Sequence, residues 1–397
     1  MDPIIFLIII GFAWISLNAI SRISWFEVKN PQIGLGYVFY RTTRLNQLID
    51  NISKRGRVIW KFIWDIGVIS GLGILFVGLI IFTINIPLFF LPDTEEATAI
   101  AVAPVIPGIT VSFQTLPYFL VAIMIGAIAH EFSHGIASRV ENVDLKSTGI
   151  FIFLVFFGAF VEPDETVLKS KSRRSVMRIM AAGALSNMIV AGIVFLILII
   201  PIGFPLMISP LYHTEPSGAL IVETVADNPA SKGGMKAGYA IIGINATPDD
   251  FQPITSARDF RNYLNSTVLP NQTLTFHFAG DLKPITLQTV PRADNSSKGF
   301  IGIYTWEYFA PRFFPPISLV NTIPYWILNS ILYVFMINLI LAIMNLLPVP
   351  FLDGDKLLAA LLGPKYEKHL SFIRFFALGI LGINLLLSFY FTGWQQI

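Results

Sequence analysis

Cysteine is absent from the chain, which excludes a disulfide framework, a thiolate zinc site and a cysteine nucleophile together. Charge is scarce as well. Asp, Glu, Lys and Arg make up 13% of the 397 residues, against about 25% in a soluble globular domain. The excess of base, a net charge of +2, is too slight for a nucleic-acid partner, which selects basic residues concentrated on one face or tail. No internal repeat or low-complexity tail is visible. The chain is instead apolar, with 54% hydrophobic residues and a mean hydropathy of +0.68, the composition of a protein that crosses a membrane several times. Any metal must then sit on histidine and carboxylate side chains.

Runs long enough for a hydrocarbon core, about 20 helical residues, lie at 3–20, 64–91, 116–139, 176–203, 324–347 and 371–392. The first has only Asp2 ahead of it and no small-residue cleavage site behind it, so it is expected to be a retained span. Segment 21–63 carries Arg22, Lys29, Arg41, Arg44, Lys54, Arg55, Arg57 and Lys61, whereas 92–115 carries Asp93, Glu95 and Glu96 without Lys or Arg. Lysine and arginine favour the cytoplasmic side of short loops. Arg139, Lys146, Lys169, Lys171, Arg173 and Arg174 in the next loop, and Lys356, Lys365 and Lys368 in the last, agree with that side. Both termini are then expected outside.

Residues 207–310 change character. Alternation replaces apolar runs, as in Thr273-Leu274-Thr275-Phe276-His277-Phe278, with turn residues between. The expected fold class is a polytopic α-helical membrane protein of about six transmembrane helices with an inserted small α/β domain placed outside. The sequons at Asn265, Asn271 and Asn295 are compatible with that side. The expected domains are 1–91, with the first spans and a cytoplasmic loop; 116–203, a membrane core; the insert 207–310; and a second core part, 324–392.

His130-Glu131-Phe132-Ser133-His134 places two imidazoles one helical turn apart on one face, so both can bind one Zn²⁺ at about 2.0–2.1 Å. Glu131 flanks the metal and is placed to take the proton of an attacking water and pass it to a leaving amine. The motif lies in an otherwise uncharged stretch, Tyr118 to Ala137, where an ionisable group costs roughly 2.5–3.5 kcal/mol or more and is kept mainly for function. The bland alternative is a histidine pair hydrogen-bonded in a bundle core. A catalytic zinc also needs a third protein ligand and an open position. His213, His277 and His369 are poorly placed, so a carboxylate is expected.

Asp353 is the leading candidate for that ligand and Asp355 its rival. Pro348 and Pro350 break the backbone beyond the fifth apolar run, which lets a carboxylate turn toward a neighbouring helix, and Gly354 tolerates the tight path that follows. His130 lies nine residues before Arg139, roughly 14 Å of helix from the cytoplasmic end, and Asp353 lies at the same end of its run. Gly183 and Asn187 sit one turn apart in the fourth span. Gly183 allows close helix approach, and Asn187 is a candidate hydrogen-bond donor to a substrate carbonyl or oxyanion, against ordinary helix packing. Asn345 either binds substrate or satisfies carbonyls freed by the prolines.

Together these residues resemble the site-2 protease family of intramembrane zinc metalloproteases, in peptidase family M50. The resemblance is carried by His130-Glu131-Phe132-Ser133-His134-Gly135, by Gly183 with Asn187, and by Asn345 through Gly354, which fits N-x-x-P-x-x-x-x-D-G. It implies that Asp353, not Asp355, completes the ligand set with His130 and His134, that Glu131 is catalytic, and that Gly183, Asn187 and Asn345 handle substrate. Ala184 stands where the common A-G-P-x-x-N form has proline. The insert resembles a PDZ domain through Asp227-Asn228-Pro229-Ala230, Gly233 to Gly238 and Ile241 to Asn245. That resemblance implies a peptide or C-terminal ligand at a sheet edge, with Gly218-Ala219-Leu220-Ile221 a loose match to the capture loop.

The implied activity is hydrolysis of peptide bonds in transmembrane protein substrates within the lipid bilayer. A substrate helix must unwind before its carbonyl is accessible, and apolar Gly149 to Pro163, too short to span, is the expected strand-like receptor or an interfacial hairpin. Competing readings are a prenyl-protein processing protease, a zinc transporter and a non-catalytic peptide-binding scaffold. The first takes a glutamate as third ligand, and Glu141, Glu162 and Glu165 are poorly placed for it. A transporter spreads ionisable residues over several spans near the midplane, and a scaffold has little use for Glu131.

Overall fold

The computed structural model describes residues 3–21, 31–91, 98–247 and 250–394. Arg22, Lys29, Asp93, Glu95 and Glu96, used above for topology, lie outside the described residues. Six helices among those described are long and apolar enough to cross a membrane. The chain divides into two compact units, one of Met1–Val194 with Ser330–Ile397 and one of Phe195–Asn329.

The first unit opens with α1 (Pro3–Ser21), β1 (Gln32–Gly34), β2 (Tyr37–Thr42), α2 (Arg44–Lys54), α3 (Arg57–Leu88) and α4 (Leu116–Val140). It continues through β3 (Leu145–Phe153), β4 (Phe156–Pro163), α5 (Glu165–Lys169) and α6 (Arg173–Ile199). Helix α3 begins seven residues before the apolar run that predicts it. Its first residue, Arg57, places its Nε 2.8 Å from the carbonyl of Val140 at the end of α4, so a charged turn is kept helical by a tertiary contact. Small residues bring the bundle together. Gly67 of α3 faces Leu185 and Ala181 of α6, and Gly71 faces Leu346, Leu357 and Ala181.

The segment read as a strand-like receptor is the β3–β4 hairpin, but it belongs to a larger antiparallel sheet of order β1-β2-β3-β4. The partners come from the segment expected to be loop, with Phe39 opposite Phe151 and Arg41 opposite Gly149. Gly149 and Gly158 each pair with an aromatic residue, Phe160 and Phe151, whose ring covers the gap a glycine leaves on a pleated surface. Strand β4 is a terminal strand of this sheet and Val161 packs against Gly135 of α4.

The second unit contains α7 (Gly203–Ile208), β5 (Ala219–Thr224), α8 (Pro229–Lys232), β6 (Ala240–Asn245), β7 (Phe251–Pro253) and α9 (Ala257–Ser266). Strands β8 (Thr273–Phe278), β9 (Ile285–Gln288), β10 (Val290–Pro291), β11 (Gly299–Phe300) and β12 (Ile303–Glu307) follow. The main sheet runs β12-β5-β6-β8-β9, with β7 paired to β6. Alternation along these strands, with a register shift in β6 between Ile241 and Gly243 that brings Ile244 to the same side, places Ile221, Ile241, Ile244, Leu274 and Phe276 in one core against Phe260 of α9. The N-terminus of α9 is satisfied twice: Ser256 Oγ accepts from the Asp259 amide at 3.0 Å, and the Glu307 carboxylate accepts from Ala257 at 2.8 Å.

The structure corrects the expected peptide-capture loop. Ala219, Leu220 and Ile221 belong to β5, which is hydrogen-bonded to β12 on one side and β6 on the other, so no edge is open there. The terminal strands of the sheet are β12 and β9.

The chain returns through α10 (Ser318–Asn345), α11 (Asp353–Leu362) and α12 (Glu367–Thr392). Helix α10 starts six residues before the expected run and contains Pro324, whose position near the N-terminal end spares most of the helix ladder.

Candidate metal centre

Helix α4 presents His130 and His134 on one face, and α6 packs beside it with residues spaced by four. The Ile179 carbonyl accepts a hydrogen bond from His134 Nδ1 at 2.7 Å. Gly183 lies against both rings, and Asn187 Nδ2 lies 3.2 Å from His130 Nδ1. Two helices thus meet turn for turn, with one backbone carbonyl, one bare Cα and one amide aligned along α6.

The third group arrives from a broken segment. After α10 ends at Asn345, Pro348 and Pro350 interrupt the helix, and Phe351 takes φ 79° with its side chain 92% exposed, a strained conformation for a bulky residue. Helix α11 then restarts at Asp353. A Cβ on Gly354 would collide with the backbone of Leu346, so only glycine lets α11 start this close to the end of α10. Asp355, the rival ligand, is buried and held by Arg374 of α12, at 2.6 Å from Nε and 3.0 Å from Nη2. That bidentate pair takes it out of the cluster.

Asp353 Oδ2 lies 3.0 Å from His130 Nε2 and 2.9 Å from His134 Nε2, and the two Nε2 atoms are 3.0 Å apart. The three donors form a nearly equilateral triangle. Donors around a tetrahedral zinc at about 2.0–2.1 Å stand roughly 3.3–3.4 Å apart, so a small contraction separates this triangle from a zinc-binding one. His130 and His134 are 8% and 9% exposed. Burial opposes charge on Asp353, but the His134 and His130 imidazoles beside it more than offset that and hold its carboxyl well below the usual carboxylate range. A Cβ on Gly183 would lie 2.5 Å from Nε2 of both histidines. The glycine keeps a hollow at the point where the donors converge. Two imidazoles, one carboxylate and that hollow can hold a metal ion.

Glu131, half-buried, points to β4, where its Oε2 accepts from the Val161 amide at 3.1 Å. Asn345 is half-buried at the end of α10 and makes no side-chain hydrogen bond among the described residues. Sequence reasoning missed the Ile179 carbonyl, the Val161 amide and Arg374. The first two are backbone groups that carry no residue signature. Arg374 had one, a guanidinium inside an apolar run.

Residues 118–382 match the model of peptidase family M50. The chain is 28% identical over 194 residues to a membrane-bound transcription factor site-2 protease homolog of Arabidopsis thaliana, covering 48% of this chain and 36% of the relative. It is 30% identical over 255 residues to an uncharacterized protein of Methanocaldococcus jannaschii, covering 64% of this chain and 56% of that one. The chain thus spans about a third and just over half of the curated relatives it matches. The family match takes in all three donors, both helices that carry and support them, and the broken segment. The chain is therefore an integral membrane protein that belongs to peptidase family M50, a family of membrane metalloproteases.

Proposed function

We propose that the protein is an intramembrane zinc endopeptidase of the site-2 protease type, hydrolysing peptide bonds within or near transmembrane segments of membrane-bound substrates. The observation that carries the reading is the donor triangle of His130, His134 and Asp353, with edges of 2.9–3.0 Å, closing over Gly183 inside apolar helices. A zinc ion held there supplies Lewis acidity to the scissile carbonyl and acidity to a water.

The remaining work falls to the chain. Glu131 takes the proton of the attacking water and delivers it to the leaving amine. The Val161 amide, 3.1 Å from Glu131 Oε2, orients that carboxylate. An unwound substrate segment pairs with the outer edge of β4, whose backbone groups replace the hydrogen bonds lost from the substrate helix. Asn345 handles the substrate beside the broken segment. The site opens toward the cytoplasmic side and the PDZ-like insert lies outside, where its exposed Asn265, Asn271 and Asn295 sit with it. A peptide or C-terminal ligand of the insert would add to a terminal strand, and β12 beside α9 is the edge that offers both a strand and a helix wall.

The test is cleavage of a single-span substrate by purified, zinc-loaded protein in detergent, with the cut mapped by mass spectrometry. A cut within the apolar span that falls about 10²–10⁴-fold in Glu131→Gln, while that variant keeps its zinc, is the expected outcome. Equal cleavage by both removes Glu131 as base. No cleavage across a panel of substrates returns weight to a transporter or scaffold.

A further inference from the structure

We infer that Asn187 is a positioning residue of the metal centre, acting on His130, and is not a substrate-binding residue. The inference rests on the metal-centre reading above. Asn187 is fully buried, its Nδ2 lies 3.2 Å from His130 Nδ1, and its Oδ1 is buried without a hydrogen-bond partner. An amide so oriented leaves its acceptor unpaired in an apolar helix bundle, where no water replaces the missing hydrogen bond. Oxygen and nitrogen of an amide are assigned by their partners. A half-turn about the terminal bond brings Oδ1 to His130 Nδ1, where it accepts the ring N–H.

That rotation exchanges the two amide atoms, so that Oδ1 gains a donor and Nδ2 takes the buried place Oδ1 leaves, and it gives His130 the tautomer that the Ile179 carbonyl, 2.7 Å from Nδ1, already gives His134. Both rings then carry hydrogen on Nδ1 and a lone pair on Nε2, and both Nε2 atoms face Asp353 Oδ2 at 3.0 and 2.9 Å. In the opposite orientation, the amide donates to Nδ1, and neutral His130 must carry its proton on Nε2, inside the triangle, where no lone pair remains for a metal. A buried acceptor behind a ligating imidazole fixes both its tautomer and its ring angle.

The measurement is zinc affinity by chelator competition on the full chain in detergent, for wild type, Asn187→Leu and Asn187→Asp. Leucine keeps the volume and deletes the acceptor, whereas aspartate keeps the acceptor. Affinity is expected to fall about 10–100-fold in Asn187→Leu and to stay within a few-fold of wild type in Asn187→Asp. If Asn187→Leu binds zinc as wild type does, the assignment is overturned, and a loss of cleavage in that variant returns Asn187 to the substrate. A wild-type chain that takes up no zinc overturns instead the reading on which the inference rests. Nitrogen-15 shifts of the histidine rings in the zinc-loaded wild type supply a readout that does not depend on a variant folding: hydrogen on His130 Nδ1 is expected, and a bare Nδ1 overturns the proposal.

Discussion

Among the described residues, buried histidine, arginine and carboxylate side chains belong to one unit alone. The core of the inserted unit is built from Ile221, Ile241, Ile244, Leu274, Phe276 and Phe260, and its capping hydrogen bonds from Ser256 and Glu307 lie at the rim of the sheet. In the helical unit the buried interior itself holds His130, His134, Glu141, Arg178, Asn187 and Asp355. Arg178, for example, joins Asp65 at 2.7 Å and Glu141 at 2.9 Å. Burying such groups carries a desolvation cost that their pairing often fails to recover. In the inserted unit, packing accounts for the residues found inside. In the helical unit it does not, and chemistry has to.

Substitutions that separate the two kinds of interior test this contrast. The largest effect is expected from Gly183→Ala. The new Cβ, 2.5 Å from both Nε2 atoms, fills the hollow on which the donors converge, so zinc uptake measured by atomic absorption should drop to background while the helices still assemble. Near-stoichiometric zinc in that variant would mean that the hollow is not the metal's place. Phe276→Ala addresses the other interior. Phe276 is fully buried, and deleting such a ring costs about 3–5 kcal/mol, so unfolding of the inserted unit should shift to lower urea while zinc affinity is unchanged. A parallel loss of zinc would show that the two interiors are energetically one.

The smallest effect concerns Tyr308 in the inserted unit, where burial, with a lesser contribution from Tyr212, pushes the phenol up to about 12. Because the unfolded chain ionises first, near pH 10, the stabilisation is complete below about pH 10 and is lost as pH rises through about 12. Urea midpoints measured across this window should fall more steeply for wild type than for Tyr308→Phe. Equal slopes would mean that the phenol contributes nothing to alkaline unfolding.

Legibility in the sequence followed the range of the interactions. The six apolar helices and the His130–His134 pair depend on local period, and both could be read directly. Asp353 could be reached because two prolines mark the break before it. The partnership of β2 with β3 could not, because nothing in Tyr37–Thr42 encodes its pairing with residues more than a hundred positions away. The peptide-edge expectation failed for the same reason: Ala219 to Ile221 has the right local pattern, but only the full strand order reveals that both of its sides are taken. Asp355 illustrates the remaining limit. Two positions after Asp353, it is set aside in the sequence only by the resemblance to the family motif, and the physical reason appears when Arg374 is seen to hold it.

The distance along the chain between the donors has a biosynthetic consequence. His130 and His134 are separated from Asp353 by 223 and 219 residues, and the arginine that anchors the start of α11 comes 19 residues after its partner Asp355. A nascent chain emerging into the membrane therefore carries two of three donors through most of its synthesis. A complete donor set is thus tied to synthesis of α11 and the helix that follows it.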